Sequence, residues 1–197
     1  LAATSMVGLA MPSAWGQFRV EVSGAGASQI PFSSVAFRGN EGAQQDVATI
    51  VRTDLERSGL FRYVDPVPGA LDEMSRPDFT AWRQKSTDAL VTGSVTRQGD
   101  GRFDVRFRAW DTVKGQDIGG MSYVVPAAQL RHVAHRIADH VYERLTGEKG
   151  VFSTRIAYVT KQGNTHRLMV ADADGEGAVA AFTSNKPNIS PSWAPGV

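Results

Sequence analysis

The sequence predicts an α/β two-layer domain, a mixed sheet with two main helices on one face, followed by the start of an all-β propeller. Three observations carry that prediction. Two stretches, 44–58 and 126–145, repeat apolar residues at helical spacing. Short segments of alternating or β-branched residues surround them at 30–37, 60–64, 88–97 and 102–110. From Phe152 onward, apolar runs at 155–160, 167–171 and 178–183 are parted by turn residues, which is the pattern of an antiparallel meander.

The amino-terminal end comes first. Residues 1–16 are uncharged, small and apolar, broken by Pro12 and ending Ala14-Trp-Gly16. This reads as the remnant of a cleavable secretory signal, with the mature chain expected to start near Gln17. A membrane anchor would need about 20 apolar residues, and Pro12 cuts the run short of that. Soluble, exported protein is therefore expected, with no direct membrane insertion. Gln17, Phe18, Arg19, Val20, Glu21 and Val22 alternate apolar with polar, as an extended strand does. Ser23 to Ser28 is a Gly/Ala/Ser tether. Gly24-x-Gly26 lacks the third glycine of a dinucleotide fingerprint and is followed by a strand-like run with Pro31, so no cofactor is expected there.

The domain at 29–150 follows in order. Ile30 to Phe37 is a first strand. On the helix at 44–58, Val47, Ile50, Val51 and Leu55 form one apolar face, and Gly59 follows as a stop. Leu60 to Val64 is a short buried strand, and Asp65-Pro-Val-Pro-Gly69 is a loop. A short helix is expected within 77–86, started by Asp78 or Thr80. Asp88 to Arg97 is a strand, Gln98-Gly-Asp-Gly101 a hairpin turn, and Arg102 to Trp110 the clearest alternation. There Phe103, Val105, Phe107 and Ala109 oppose Asp104, Arg106 and Arg108, so one face of the sheet is expected to be wet. A turn within 112–120 leads to a third antiparallel strand through Met121, Tyr123 and Val125. Pro126 opens the last helix, which Gly147 ends.

The segment 151–197 closes on Ser190-Pro-Ser-Trp193-Ala-Pro-Gly196 and reads as a first, incomplete propeller blade. Propellers have about 4 to 8 blades, so the natural protein is expected to be longer. One blade cannot cover its own apolar strands, and residues after Phe152 should pack poorly alone.

Composition narrows the function. Of 197 residues, 42% are hydrophobic and 21% charged, with net charge +1, so no bulk field draws nucleic acid. Cysteine is absent, which excludes disulfides, thiolate metal sites and a cysteine nucleophile. His132, His135, Asp139 and His140 have a spacing that suits a metal, but they fall off the helix's apolar face and are expected to be solvated. Arg97, Arg102, Arg106 and Arg108 are interleaved with Asp100, Asp104 and Asp111, which argues against a nucleic-acid patch. Asp172-x-Asp174-Gly175 lacks the further ligands of a calcium loop and reads as a hairpin turn. No Gly-x-Ser-x-Gly elbow is present.

Several phrases carry a resemblance: Asp54-Leu-Glu-Arg-Ser-Gly-Leu-Phe61, Val91-Thr-Gly-Ser-Val-Thr96, Ile189-Ser-Pro-Ser-Trp-Ala-Pro195 and, most specifically, the junction Leu145-Thr-Gly-Glu-Lys-Gly-Val-Phe152-Ser-Thr-Arg-Ile-Ala-Tyr158. Together they resemble the TolB family of periplasmic Tol-Pal proteins. The family usually has Ser-Pro-Asp-Gly where this chain ends Ala194-Pro-Gly-Val197. The resemblance implies a non-enzymatic scaffold linking TolA to the outer-membrane lipoprotein Pal, supporting envelope integrity and constriction at cell division. It implies no cofactor, and TolA recognition by Gln17, Phe18, Arg19, Val20, Glu21 and Val22. An alternating segment on a flexible leash suits addition to a sheet edge; it equally suits an edge strand of its own domain. The Pal site is implied to lie mostly on the rest of the propeller. The competing reading is the propeller lid of a secreted serine peptidase, its catalytic domain lying downstream.

Overall fold

The architecture was obtained as a computed structural model, which describes residues 29–187 and 190–194. Strand β1 (Ile30–Ser34) leads into helix α1 (Val47–Arg57) and strand β2 (Phe61–Tyr63). The short helix α2 (Phe79–Gln84) follows, then strands β3 (Ala89–Arg97), β4 (Phe103–Asp111) and β5 (Gln116–Val125), and helix α3 (Leu130–Thr146). These five strands form one mixed sheet ordered β2-β1-β3-β4-β5. β1 pairs in parallel with both β2 and β3, and β3-β4-β5 is antiparallel. This is the element order the hydrophobic pattern predicts.

Helix α1 starts at Val47 rather than Gln44, because the Asp46 carboxylate accepts from the Thr49 amide and caps the first turn. Helix α2 starts in the same way on Asp78, which accepts from the Thr80 amide. A single 3₁₀ turn, Ala127–Gln129, separates Pro126 from α3, and Gly147 ends α3 at φ +80°. The first strand stops at Ser34, short of Phe37, because Phe37 turns inward to lie against Gly93 of β3, where any Cβ would collide with its ring. β5 begins earlier than expected and runs through Gly119 and Gly120; a Cβ on Gly120 would strike the Phe107 carbonyl across the ladder.

Both main helices cover one face of the sheet. Val47, Val51 and Leu55 of α1 and Leu130, Val133, Ala134, Ile137 and Val141 of α3 pack on Phe32, Val91, Val95, Val105 and Phe107. The opposite face is not wet throughout, which corrects the reading from alternation. Trp82 of α2, with Phe79, Val67 and Leu71, covers Val35, Leu90 and Trp110 in a second buried cluster. Alternation along β4 puts the Trp110 ring on that side, opposite Ala109 and in register with Leu90 of β3. β3 is consequently buried on both faces from Ala89 to Val95. Farther along, the second face does carry charge: Arg106 pairs with Asp104 and Arg108 with Asp117, each at 2.7 Å. Arg102 likewise pairs with Asp100 at 2.7 Å, so three of the four interleaved arginines are matched by carboxylates.

The second sheet is a meander of β6 (Arg155–Gln162), β7 (Thr165–Asp172) and β8 (Val179–Ser184). Ile156, Val179 and Phe182 are exposed, as a blade without a neighbour requires. Among the described residues no helix is long and apolar enough to cross a membrane.

Candidate functional site

The six residues expected to bind a partner, Gln17 to Val22, lie outside the described residues, as does their tether. The described chain starts at Gln29, whose side chain donates to the Gly59 carbonyl just past the end of α1 at 3.0 Å.

The densest polar arrangement lies elsewhere, on α3. Arg131, His135 and Asp139 recur every four residues and form one stripe beside the apolar stripe. This stripe meets the second sheet. Asp139 accepts the backbone amides of Phe152 at 2.7 Å and Ser153 at 3.1 Å, fixing the strand of chain that enters β6. Gly150 lies so close to Asp139 that a Cβ there would collide with it. Phe152 stacks edge-on against Tyr142 at 5.6 Å. Two turns back, the Arg131 guanidinium binds the Asp174 carboxylate, in the turn after β7, and sits 3.4 Å from Asp172, the last residue of that strand.

Between them is His135. Its Nδ1 is 2.6 Å from Asp54 Oδ2, on α1, and both side chains are almost fully buried. Its Nε2 has no hydrogen-bond partner and faces Asp174 and Asp172 at 3.7 and 3.9 Å. The expectation that His135 and Asp139 are solvated is therefore wrong. A helix of this length touching two layers has two buried flanks, and the polar flank is the one against the second sheet. The Asp172-x-Asp174-Gly175 segment is a turn, as expected, closed by the Gly175 amide donating to the Asp172 carbonyl. Its carboxylates, however, are the groups that α3 holds.

Asp54, His135 and Asp174 place one ligand atom each within 4.8 Å of one another, a spacing a metal could use. The guanidinium of Arg131 already occupies the Asp174 oxygen that a metal would take, so ion pairing accounts for the cluster. A cleft lined by Thr49, Thr53, Asp54, Arg57, Arg131 and Asp174 opens beside it to solvent.

His132 and His140 flank the stripe. Burial pushes both imidazoles below the ordinary histidine value of 6.5, helped by Arg136 beside His132 and Arg144 beside His140. A histidine held neutral by the fold favours it above pH 6.5, and that contribution is lost as pH falls below it, because the unfolded chain then takes up more protons. A nuclear magnetic resonance titration should place the His140 midpoint below 6.5; a midpoint at or above that value would contradict the burial against Phe107 seen here.

Sequence reasoning missed Asp54, Arg131 and His135 as a unit. Two signals could have found them: a carboxylate between Val51 and Leu55 on the apolar face of α1, and the four-residue spacing of Arg131, His135 and Asp139.

Comparison with known proteins bears on the whole chain. A family described as the TolB amino-terminal domain matches residues 18–118, and one described as the TolB beta propeller domain matches residues 142–197. A Tol-Pal system protein TolB from Albidiferax ferrireducens is 59% identical over 190 residues, covering 96% of this chain and 45% of that protein. One from Polaromonas sp. strain JS666 is 59% identical over 191 residues, covering 97% of this chain and 45% of that protein. The crystal structure of TolB from Acinetobacter baumannii superposes with a TM-score of 0.73 at 30% identity, covering 85% of this chain and 42% of that one. This chain therefore spans less than half the length of these relatives. The match at 18–118 is to an amino-terminal domain, the part of the chain that comes before the propeller-type strands. With an α/β domain, a following propeller-type meander and matches that run across both, this chain belongs to the TolB family of Tol-Pal system proteins.

Proposed function

We propose that the chain is the amino-terminal part of a non-enzymatic periplasmic scaffold that links TolA to Pal and supports outer-membrane integrity and envelope constriction during cell division. The observation that carries this is the 59% identity to a Tol-Pal system protein across 96% of the chain. In this reading residues 1–16 are a signal remnant, 17–28 a partner-binding strand with its tether, 29–150 the α/β domain, and 151–197 the first blade region.

TolA recognition is assigned to Gln17, Phe18, Arg19, Val20, Glu21 and Val22. An extended strand added to a sheet edge gains main-chain hydrogen bonds, while Phe18, Val20 and Val22 supply side chains for pockets on one face. Ordering a free segment costs conformational entropy, which keeps such binding modest and reversible. Pal is assigned mainly to propeller blades beyond residue 197.

Calorimetric titration with the periplasmic carboxy-terminal domain of TolA tests this. A chain starting at Gln17 should bind, and one starting at Gln29 should lose binding by at least about tenfold, or roughly 1.4 kcal/mol. Equal binding by both would move the site onto the folded domain. No binding by either would overturn the assignment to this segment.

A further inference from the structure

The five-stranded sheet ends on unequal edges. β2 has three residues, whereas β5 has ten, and among the described residues β5 pairs only with β4. The outward amides and carbonyls of such an edge are a template for another strand. A bulge limits the usable length. Ala109 pairs with Gly119 and Trp110 with Asp117, so Ile118 is the extra residue, and the ladder runs without a break from Gly119 to Val125. Met121 and Val124, exposed on opposite faces of that run, offer apolar surface to an added strand.

Helix α3 sets two arginines along β5. The Arg136 guanidinium lies over the Tyr123 ring at 4.7 Å. Two turns on, Arg144 Nε donates to the Ile118 carbonyl at 2.8 Å. A Cβ on Gly119 would press on His140 and Arg144, so the helix side chains rest directly on the strand there. Both partners of the arginines are uncharged, and among the described residues neither guanidinium is ion-paired. The two carboxylates of α3 do not serve them: Asp139 accepts the Phe152 and Ser153 amides, and Glu143 is exposed to solvent. On the strand, Asp117 is taken by Arg108. A guanidinium that stacks on a ring or bonds a carbonyl keeps its charge, and its remaining N–H groups can still take a carboxylate.

We propose that β5 is a docking edge for an extended segment of a partner protein, added as the next strand of the sheet, with acidic residues at two positions four apart. The spacing sets the four. Two helical turns separate Arg136 from Arg144 by about 12 Å, and residues i and i+4 of a strand lie about 13 Å apart on one face. The partner's main chain pairs with Gly120 to Val125, and its two carboxylates reach Arg144 and Arg136. The same charges select against a second copy of this chain, because an antiparallel β5 pair would turn each copy's arginines towards the other's. This goes beyond the assignment of TolA to residues 17–22: there the chain donates a strand, and here it receives one.

The test is amide hydrogen exchange of the full-length chain with a blocked peptide of about nine residues, long enough to span the open edge. The peptide alternates Val with Thr and carries Glu in place of Thr at two positions four apart. It should slow exchange across Gly120–Val125 by at least about tenfold, and less so as salt is raised. The same peptide with Lys for Glu should leave exchange unchanged. In the Arg136→Glu, Arg144→Glu double variant the preference should invert, so that the Lys peptide protects and the Glu peptide does not. No protection by the Glu peptide overturns the proposal in the parent protein alone, whether or not the variant folds. Equal protection by both peptides also overturns it, because the arginines would then play no part. Protection present without peptide, and lost in a chain starting at Gln29, would overturn it by making this chain's own amino-terminal segment the occupant.

Discussion

Replacing Asp54 by alanine is expected to lower the unfolding free energy of the α/β domain by about 3 kcal/mol, the upper end of the range for leaving a buried hydrogen-bond partner unsatisfied. The mechanism is specific to the place. Asp54 is on the core-facing side of α1, 1% exposed, and its oxygen holds His135 Nδ1 of α3. Removing it strands a buried polar ring among carboxylates from the second sheet. Urea denaturation should show the midpoint falling with an unchanged slope. A double variant, Asp54→Leu with His135→Phe, should recover much of the loss, since apolar replacement of both partners is often neutral. Equal losses for the single and double variants would mean that packing volume, and not the pair, sets the cost.

Replacing Trp82 by alanine should cost a similar amount, about 3–5 kcal/mol, as expected for truncating a buried aromatic. Trp82 is 2% exposed and is the largest side chain that α2 places on the second face of the sheet. Beneath it lie Leu90 and Trp110, which would be opened to water, and the Trp110 indole would be left with Phe79, 5.7 Å away, as its aromatic neighbour. Urea denaturation measures the loss, and Trp82→Phe should recover part of it by refilling volume. A change below about 1 kcal/mol for Trp82→Ala would mean that the loop at 65–71 closes over the gap.

Much of the fold was legible because pattern and packing agree there. Phe103, Val105, Phe107 and Ala109 alternate in sequence and all face the helices. The same alternation misled on the other face, because α2 is too short for a periodic signal and its Trp82 covers Leu90 and Trp110 on a face that otherwise alternates with charge. His135 was misread for a related reason. An apolar stripe identifies one buried flank of a helix, but a second flank buried against polar partners looks like solvent-facing sequence. Only the approach of Asp172 and Asp174, distant in sequence, distinguishes the two. The family itself was legible from the 145–158 junction, whose physical reasons are now visible: Gly147 ends α3, Gly150 must pass Asp139, and Phe152 packs on Tyr142.

Helix α3 serves two layers at once, and this limits its evolutionary freedom. Of its 17 residues only Arg136, Glu143 and Arg144 are exposed. Two of those are engaged as well, Arg136 stacked over Tyr123 and Arg144 donating to the Ile118 carbonyl. A drifting population of sequences has almost no neutral position here. Change on this helix must come as paired exchanges, with α1 and the five-stranded sheet on one side or with the Asp172–Glu176 turn on the other.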